Sequence, residues 1–241
     1  MASTHKPDSD NADVGNSLKN FTIFKPQVIN LWLFLFCSNN MMEDIFMKNT
    51  KVKILVEGAI MVALAFVLSC IKIIRIPWGG SITLMSMLPI VIFSVKHGIK
   101  KGLFVAFAYS LLQFGQGVVV DGLFGWGLTP VMLVSCIFLD YIFAYTVIGL
   151  AGMFKTKGVS GWITGTVIAI VIRFAIHVLS GVVIWHSSGK IWDVFETSNE
   201  WLYSFLYNGT YMLPELVFTL IGAVILFTVP QTKKLITSEG L

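Results

Sequence analysis

Long apolar runs separated by short polar loops dominate the chain from about residue 53 onward. A bilayer core about 30 Å thick needs roughly 20 mostly apolar residues to cross as a helix. By that ruler the pattern predicts six helices, at about 53–73, 81–96, 102–119, 130–153, 158–185 and 202–229. The runs far exceed the ~10 residues of a barrel strand and show no apolar–polar alternation, which selects helices over strands. The second is short and the fifth long, so uniform spans are not expected. The expected fold is all-α, a polytopic membrane protein with six transmembrane helices.

Residues 1–46 break this pattern. Met1 to Lys25 is polar, with Asp8, Asp10 and Asp13 among Ser, Asn and Lys. Val28 to Cys37 is apolar but too short to span. Met47, just before Lys48, Lys51 and Lys53, would begin a sensible membrane protein. Residues 1–46 are therefore expected to be an extension, disordered or upstream of the true start, and 47–241 the membrane domain.

Composition agrees. Of 241 residues 56% are hydrophobic and 12% charged, whereas soluble domains carry roughly 25% charged residues. Such a chain cannot cover a globular surface with polar groups, which excludes a soluble enzyme. The net charge of +4 would suit nucleic acid, but its placement says otherwise. Lys48, Lys51, Lys53, Lys96, Lys100, Lys101, Lys155, Lys157, Lys233 and Lys234 all fall on one side if six helices alternate. The opposite loops set Lys72, Arg75 and Lys190 against Asp121, Asp193, Glu196 and Glu200. The positive-inside rule then puts both termini in the cytoplasm of a cell-membrane protein. The basic excess is a topology signal, and no nucleic-acid partner is expected. Cys37, Cys70 and Cys136 have neither a disulfide-framework nor a metal-ligand spacing.

Ionisable residues inside a span are costly and mark function by default. Here they are Glu57, Asp140, Arg173, His177 and Glu215, joined by the amide of Asn208. Asp140 has Cys136 and Ala144 one turn away, and neither can pair with a carboxylate. Its partner must come from another helix or from a ligand. Arg173, His177, Gly181 and Trp185 recur every four residues and form one stripe suited to lining a cavity open to the outside. Tyr203, Tyr207 and Tyr211 share a stripe, while Asn208 and Glu215 share another face. Interhelical ties through Glu57 or Glu215 are the competing reading for Arg173 and His177. Trp78, in the outer loop IPWGGS, is either a lid residue or an interfacial anchor.

A carboxylate, aromatic faces, a His and an Asn together suit a small, flat, cationic ligand. No GxxxxGK[ST] phosphate loop, HExxH or GxSxG motif occurs. An ATP-driven process would therefore need its motor on another chain, and an enzyme is not expected.

At these residues the sequence resembles the thiamine-specific S components of energy-coupling-factor (ECF) vitamin importers, the ThiT family. The likeness runs from about Lys51 to Lys234 through EGAIMVALAFVLS, GGSITLMSMLPI, LDY, RFAIHVLSG and YSFLYNGTYM, in the family's order. It implies six helices, thiamine as transported ligand, no cofactor, and a partner module of one membrane coupling protein and two ATPases that use ATP. By resemblance the ligand-binding residues are Asp140, Tyr141, His177, Trp185, Tyr203 and Asn208, with Tyr109 in place of a helix-three tryptophan and Trp78 near the lid. An AxxxA pair thought to face the coupling protein corresponds to Ala59 and Ala63.

There are departures. Leu84 stands where some members are acidic, and Asp140 replaces a Glu found in many. The loop GVVVDGLFGWG is longer than usual and leaves its aromatic ligand open between Phe124 and Trp126. The expectation is a thiamine-binding ECF subunit; the alternatives are an S component for another vitamin such as riboflavin, or a stand-alone proton-coupled carrier using Asp140 and His177.

Overall fold

A computed structural model describes residues 50–76, 80–186, 189–191 and 195–238. The proposed extension 1–46 lies outside the described residues. The chain divides into two units after Leu55, and the unit that begins at Val56 carries the apolar helices and the cavity between them.

The first apolar run forms α1 (Thr50–Cys70) and stops where Lys72 begins strand β1 (Lys72–Arg75). Strand β2 (Ser81–Thr83) pairs antiparallel with it, Lys72 opposite Thr83 and Arg75 opposite Ser81. Helix α2 (Leu88–His97) and helix α3 (Ile99–Val119) follow. Gly98 joins them at φ 84°, a conformation that disfavours any side chain.

The next helical stretch, Pro130–Trp185, is 56 residues long, well over twice what one passage needs. Its first limb, α4, runs through Pro130–Cys136, a π-helical segment Ile137–Phe143, Ala144–Thr146 and the tighter Val147–Lys157. The chain reverses where Phe154 leaves helical geometry and Gly158 adopts φ 68°. Its second limb, α5 (Gly158–Ser180), ends in another π-helical turn, Gly181–Trp185. Strands β3 (Gly189–Ile191) and β4 (Phe195–Thr197) pair antiparallel and lead into α6 (Glu200–Thr228) and the short α7 (Pro230–Ser238).

Local chemistry explains the starts. Thr129 caps α4 through the Met132 amide, with Pro130 at the first helical position. Asn199 Oδ1 accepts from the amides of Trp201 and Leu202 at 3.0 and 3.2 Å to cap α6.

Two expectations need correction. The helix predicted over 81–96 is a strand followed by a ten-residue helix, which at about 1.5 Å per residue covers only about half the bilayer core. Every residue from Leu88 to Lys96 is buried by its neighbours, so protein replaces lipid around it and non-helical backbone is tolerated there. The chain is also not purely helical, because two small hairpins form among the described residues. Among the described residues, four apolar helical stretches are long enough to cross a membrane.

Outward faces are apolar: Phe104, Val131, Val171, Leu213 and Val217 are exposed, as lipid contact requires. The interior packs Trp162 edge-on against Phe227 at 5.4 Å, with the indole N–H donating to Lys155 O at 2.7 Å. At the lysine-bearing end, Lys96 Nζ donates to both oxygens of Glu57 at 3.0 Å, and His97 Nε2 lies 3.0 Å from Glu57 Oε2. Glu57 thus pairs with α2 rather than with Arg173 or His177. Lys155 Nζ reaches Lys96 O at 3.4 Å, which brings two of the predicted same-side lysines together.

Candidate ligand cavity

A cavity of about 460 Å³ opens at the end of the unit opposite the Glu57–Lys96 pair. It is walled by the end of α1, the β1–β2 hairpin, α3, α4, α5 and the first half of α6.

Asp140 sits on one wall. Its Oδ2 accepts from Ser180 Oγ at 2.7 Å and, more loosely, from the Trp185 indole N–H at 3.5 Å. Oδ1 lies 3.1 Å from His177 Nδ1, which in facing a carboxylate carries the proton. His177 Nε2 is buried without a hydrogen-bond partner among the described residues. These three partners come from the second limb of the 56-residue stretch, while the Cys136 thiol, one turn away on α4, also interacts with the carboxylate. Both π-helical segments lie here. A π turn accommodates an extra residue, which changes the face taken by the side chains after it. Asp140 lies within one and Trp185 ends the other.

Aromatic rings surround this wall. Trp126, from the loop after α3, packs 5.6 Å from Trp185 between ring centres and donates its N–H to Asp121 O at 2.9 Å. Phe124 is 62% exposed and absent from the lining, whereas Trp126 is part of it. Tyr203 stacks on Tyr207 at 6.3 Å, and Tyr207 meets Tyr211 edge-on at 6.1 Å. Asn208 accepts from Tyr211 OH at 2.5 Å and donates to Ser204 O at 2.9 Å and His177 O at 3.3 Å. The last of these bonds ties α6 to α5.

The cavity floor is ionic. Arg173 Nη1 lies 3.4 Å from Glu215 Oε2, with its guanidinium 4.2 Å above the Tyr145 ring. Glu215 Oε1 accepts from the Thr83 amide at 3.0 Å and from the Thr83 hydroxyl. This pair ties α5 and α6 to the β1–β2 hairpin, so for Arg173 the interhelical reading holds, although the residue still lines the cavity.

Asp140, Tyr141, His177, Trp185, Tyr203 and Asn208 are thus brought together around one space. Tyr109 is not among them: fully buried and edge-on to Tyr145 at 5.6 Å, it packs behind the wall. Trp78 lies outside the described residues. Ala59 and Ala63 are exposed on α1, away from the lining. Sequence reasoning missed Ser69, Gln113 and Gln116, although amides in the apolar string QFGQG were a legible signal. It also missed Lys72 and Asp121, paired at 2.7 Å at the rim; both were counted only as loop charges.

Known proteins share this sequence and this fold. The profile of a family described as "Thiamine transporter protein" matches residues 55–236. The chain belongs to that family. Among relatives, the thiamine transporter ThiT of Bacillus subtilis (strain 168) is 33% identical over 195 residues, covering 75% of this chain and 93% of that protein. ThiT of Lacticaseibacillus paracasei is 25% identical over 202 residues, covering 74% and 89%. A solved structure of ThiT from Listeria monocytogenes superposes with a TM-score of 0.61 at 24% identity, over 78% of this chain and 99% of that one. That likeness shows the fold. Membership of the thiamine transporter family, with four apolar helical stretches of spanning length, makes this a multi-pass membrane protein.

Proposed function

We propose that the protein is the thiamine-binding S component of an ECF-type, ATP-driven vitamin importer. The observation that carries this reading is the Asp140–His177–Ser180 cluster flanked by the paired indoles of Trp126 and Trp185. Thiamine offers a flat thiazolium cation, an aminopyrimidine and a hydroxyethyl group. A ring cation against Trp gains roughly 0.5–2 kcal/mol, more when water is excluded. Trp185 stacks on the thiazolium, and Asp140 takes the cation or the amino group through a charge-assisted hydrogen bond. His177, Tyr203 and Asn208 supply directional contacts to ring nitrogens and hydroxyls, with Tyr141 closing the wall.

Six helical segments run between the membrane faces, α2 completing its passage together with β2. Both termini are cytoplasmic and the cavity faces outward. Ala59 and Ala63 present small side chains on α1, where a coupling protein carrying two ATPases approaches closely. No step on this chain is catalytic.

Tryptophan fluorescence of the detergent-solubilised protein tests the ligand. Saturable quenching by thiamine and none by riboflavin is expected; the reverse would overturn the assignment. Uptake into vesicles should need the partner module and ATP. Uptake by this chain alone under a proton gradient would favour the carrier reading of Asp140 and His177.

A further inference from the structure

Besides Asp140, the cavity is lined by a cluster of amides. Ser69, at the end of α1, holds two glutamines of α3. Its hydroxyl lies 2.7 Å from Phe66 O and 2.9 Å from Gln116 Oε1. Gln116 Nε2 returns to Ser69 O at 3.3 Å. Gln116 thus meets Ser69 through both ends of its amide, the oxygen being bonded when the one Ser69 hydrogen turns to it rather than to Phe66 O.

Gln113 is different. Its only hydrogen bond among the described residues is from Nε2 to Ser69 Oγ at 2.8 Å. The one hydroxyl hydrogen of Ser69 is committed to Phe66 O or Gln116 Oε1, so Ser69 can only accept from Gln113. That settles which way the Gln113 amide points. Its oxygen and second N–H are left to the cavity it lines, and the oxygen is not among the sealed, partnerless atoms. The side chain is 7% exposed, so whatever occupies the cavity, rather than bulk water, decides whether these groups are satisfied.

We infer that Gln113, oriented by Ser69 and Gln116, is a specificity-determining residue that reads the neutral hydroxyl of the ligand. The inference rests on the thiamine reading and adds a contact to it. An uncharged amide with a free acceptor and a free donor matches a hydroxyl, which both donates and accepts. The cationic ring and amino group find the stronger acceptor in the Asp140 carboxylate of the same cavity. Gln113 thereby divides the labour: the carboxylate wall takes charge and the amide wall takes the alcohol. A ligand lacking that alcohol leaves the amide buried and unpaired, which is how a polar site rejects an apolar analogue.

The test is a cycle of two proteins and two ligands, read by tryptophan fluorescence. Wild type and Gln113→Leu are titrated with thiamine and with its analogue carrying ethyl in place of hydroxyethyl. A neutral hydrogen bond corresponds to about a three- to tenfold change in Kd. Gln113→Leu should lose that factor on thiamine and bind the ethyl analogue at least as tightly as wild type does, because no amide is then left unpaired. Equal losses on both ligands, or no loss on thiamine, would overturn the inference. So would a loss that disappears with an analogue lacking the pyrimidine amino group and not with the ethyl analogue. Should Gln113→Leu aggregate on size exclusion, Gln113→Asn, which withdraws the same amide by one methylene, is read in the same cycle. A wild-type protein that ignores thiamine would sink the functional reading itself, which keeps the two failures apart.

Discussion

Ser180 Oγ donates to Asp140 Oδ2 at 2.7 Å, although the two residues are 40 positions apart and sit on opposite limbs of one 56-residue helical stretch. The reversal at Phe154–Gly158 is what lets a carboxylate stranded on an apolar helix face find donors. Asp140→Asn keeps the shape and removes the charge. Loss of a charge-assisted bond, roughly 1.5–3 kcal/mol, should weaken thiamine binding by about ten- to a hundredfold. Titration of the folded variant by tryptophan fluorescence checks this, and unchanged affinity would return Asp140 to a purely structural role.

Glu215 behaves differently from Asp140 because its partner is a buried arginine. Glu215→Ala strands Arg173 in the interior and releases the Thr83 amide. Breaking one side of a buried ion pair costs about 3–5 kcal/mol. A marked fall in Tm in detergent is expected even without ligand, whereas the Asp140 variant should shift Tm little in the absence of thiamine.

The aromatic partner of Trp185 can be tested by a contrast within one loop. Trp126→Ala removes the indole packed at 5.6 Å and should weaken thiamine binding several-fold, in line with the roughly 0.5–2 kcal/mol of a cation–π contact. Phe124→Ala, two residues earlier and exposed, should leave affinity within experimental error. Equal effects from both would remove Trp126 from the site.

Gly117 leaves the space that Tyr141 fills. A methyl group there would overlap the phenol ring and hydroxyl of Tyr141, which is half-buried in the cavity wall. Gly117→Ala should therefore displace the ring from the cavity wall and lower thiamine affinity. The double variant with Tyr141→Ala should recover part of the lost stability, measured as Tm, because the clash disappears.

Ala59 provides a test of coupling separate from binding. Ala59→Trp adds bulk to an exposed position remote from the cavity. Thiamine titration should be unchanged while ATP-dependent uptake with the partner module collapses. Uptake at the wild-type rate would move the docking surface elsewhere on the chain.

Several of these residues could be read from the linear pattern because burying a charge or amide in an apolar span is expensive. Asp140, His177 and Asn208 announce themselves that way, and the four-residue recurrence of Arg173, His177, Gly181 and Trp185 predicted a shared face that the cavity lining contains. Tyr109 misled for the opposite reason: tyrosine is amphipathic, and nothing in a single sequence separates a phenol at a cavity from one packed behind it. The 81–96 run misled as well, since a run with apolar character reads as a span whether lipid or protein surrounds it.

By itself, then, the sequence determined the membrane setting, the helical segments in their approximate places, and the short list of polar groups that must find partners. These come from one-dimensional quantities: run length against bilayer thickness, and the cost of an isolated charge in hydrocarbon. Which partner each group finds was decided only in three dimensions. Asp140 meets Ser180 and His177, Arg173 meets Glu215, Glu57 meets Lys96, and Gln113 is aimed by Ser69 across 44 positions. Hydrogen bonds act over about 3 Å, and only the reversals of the chain bring such distant positions that close.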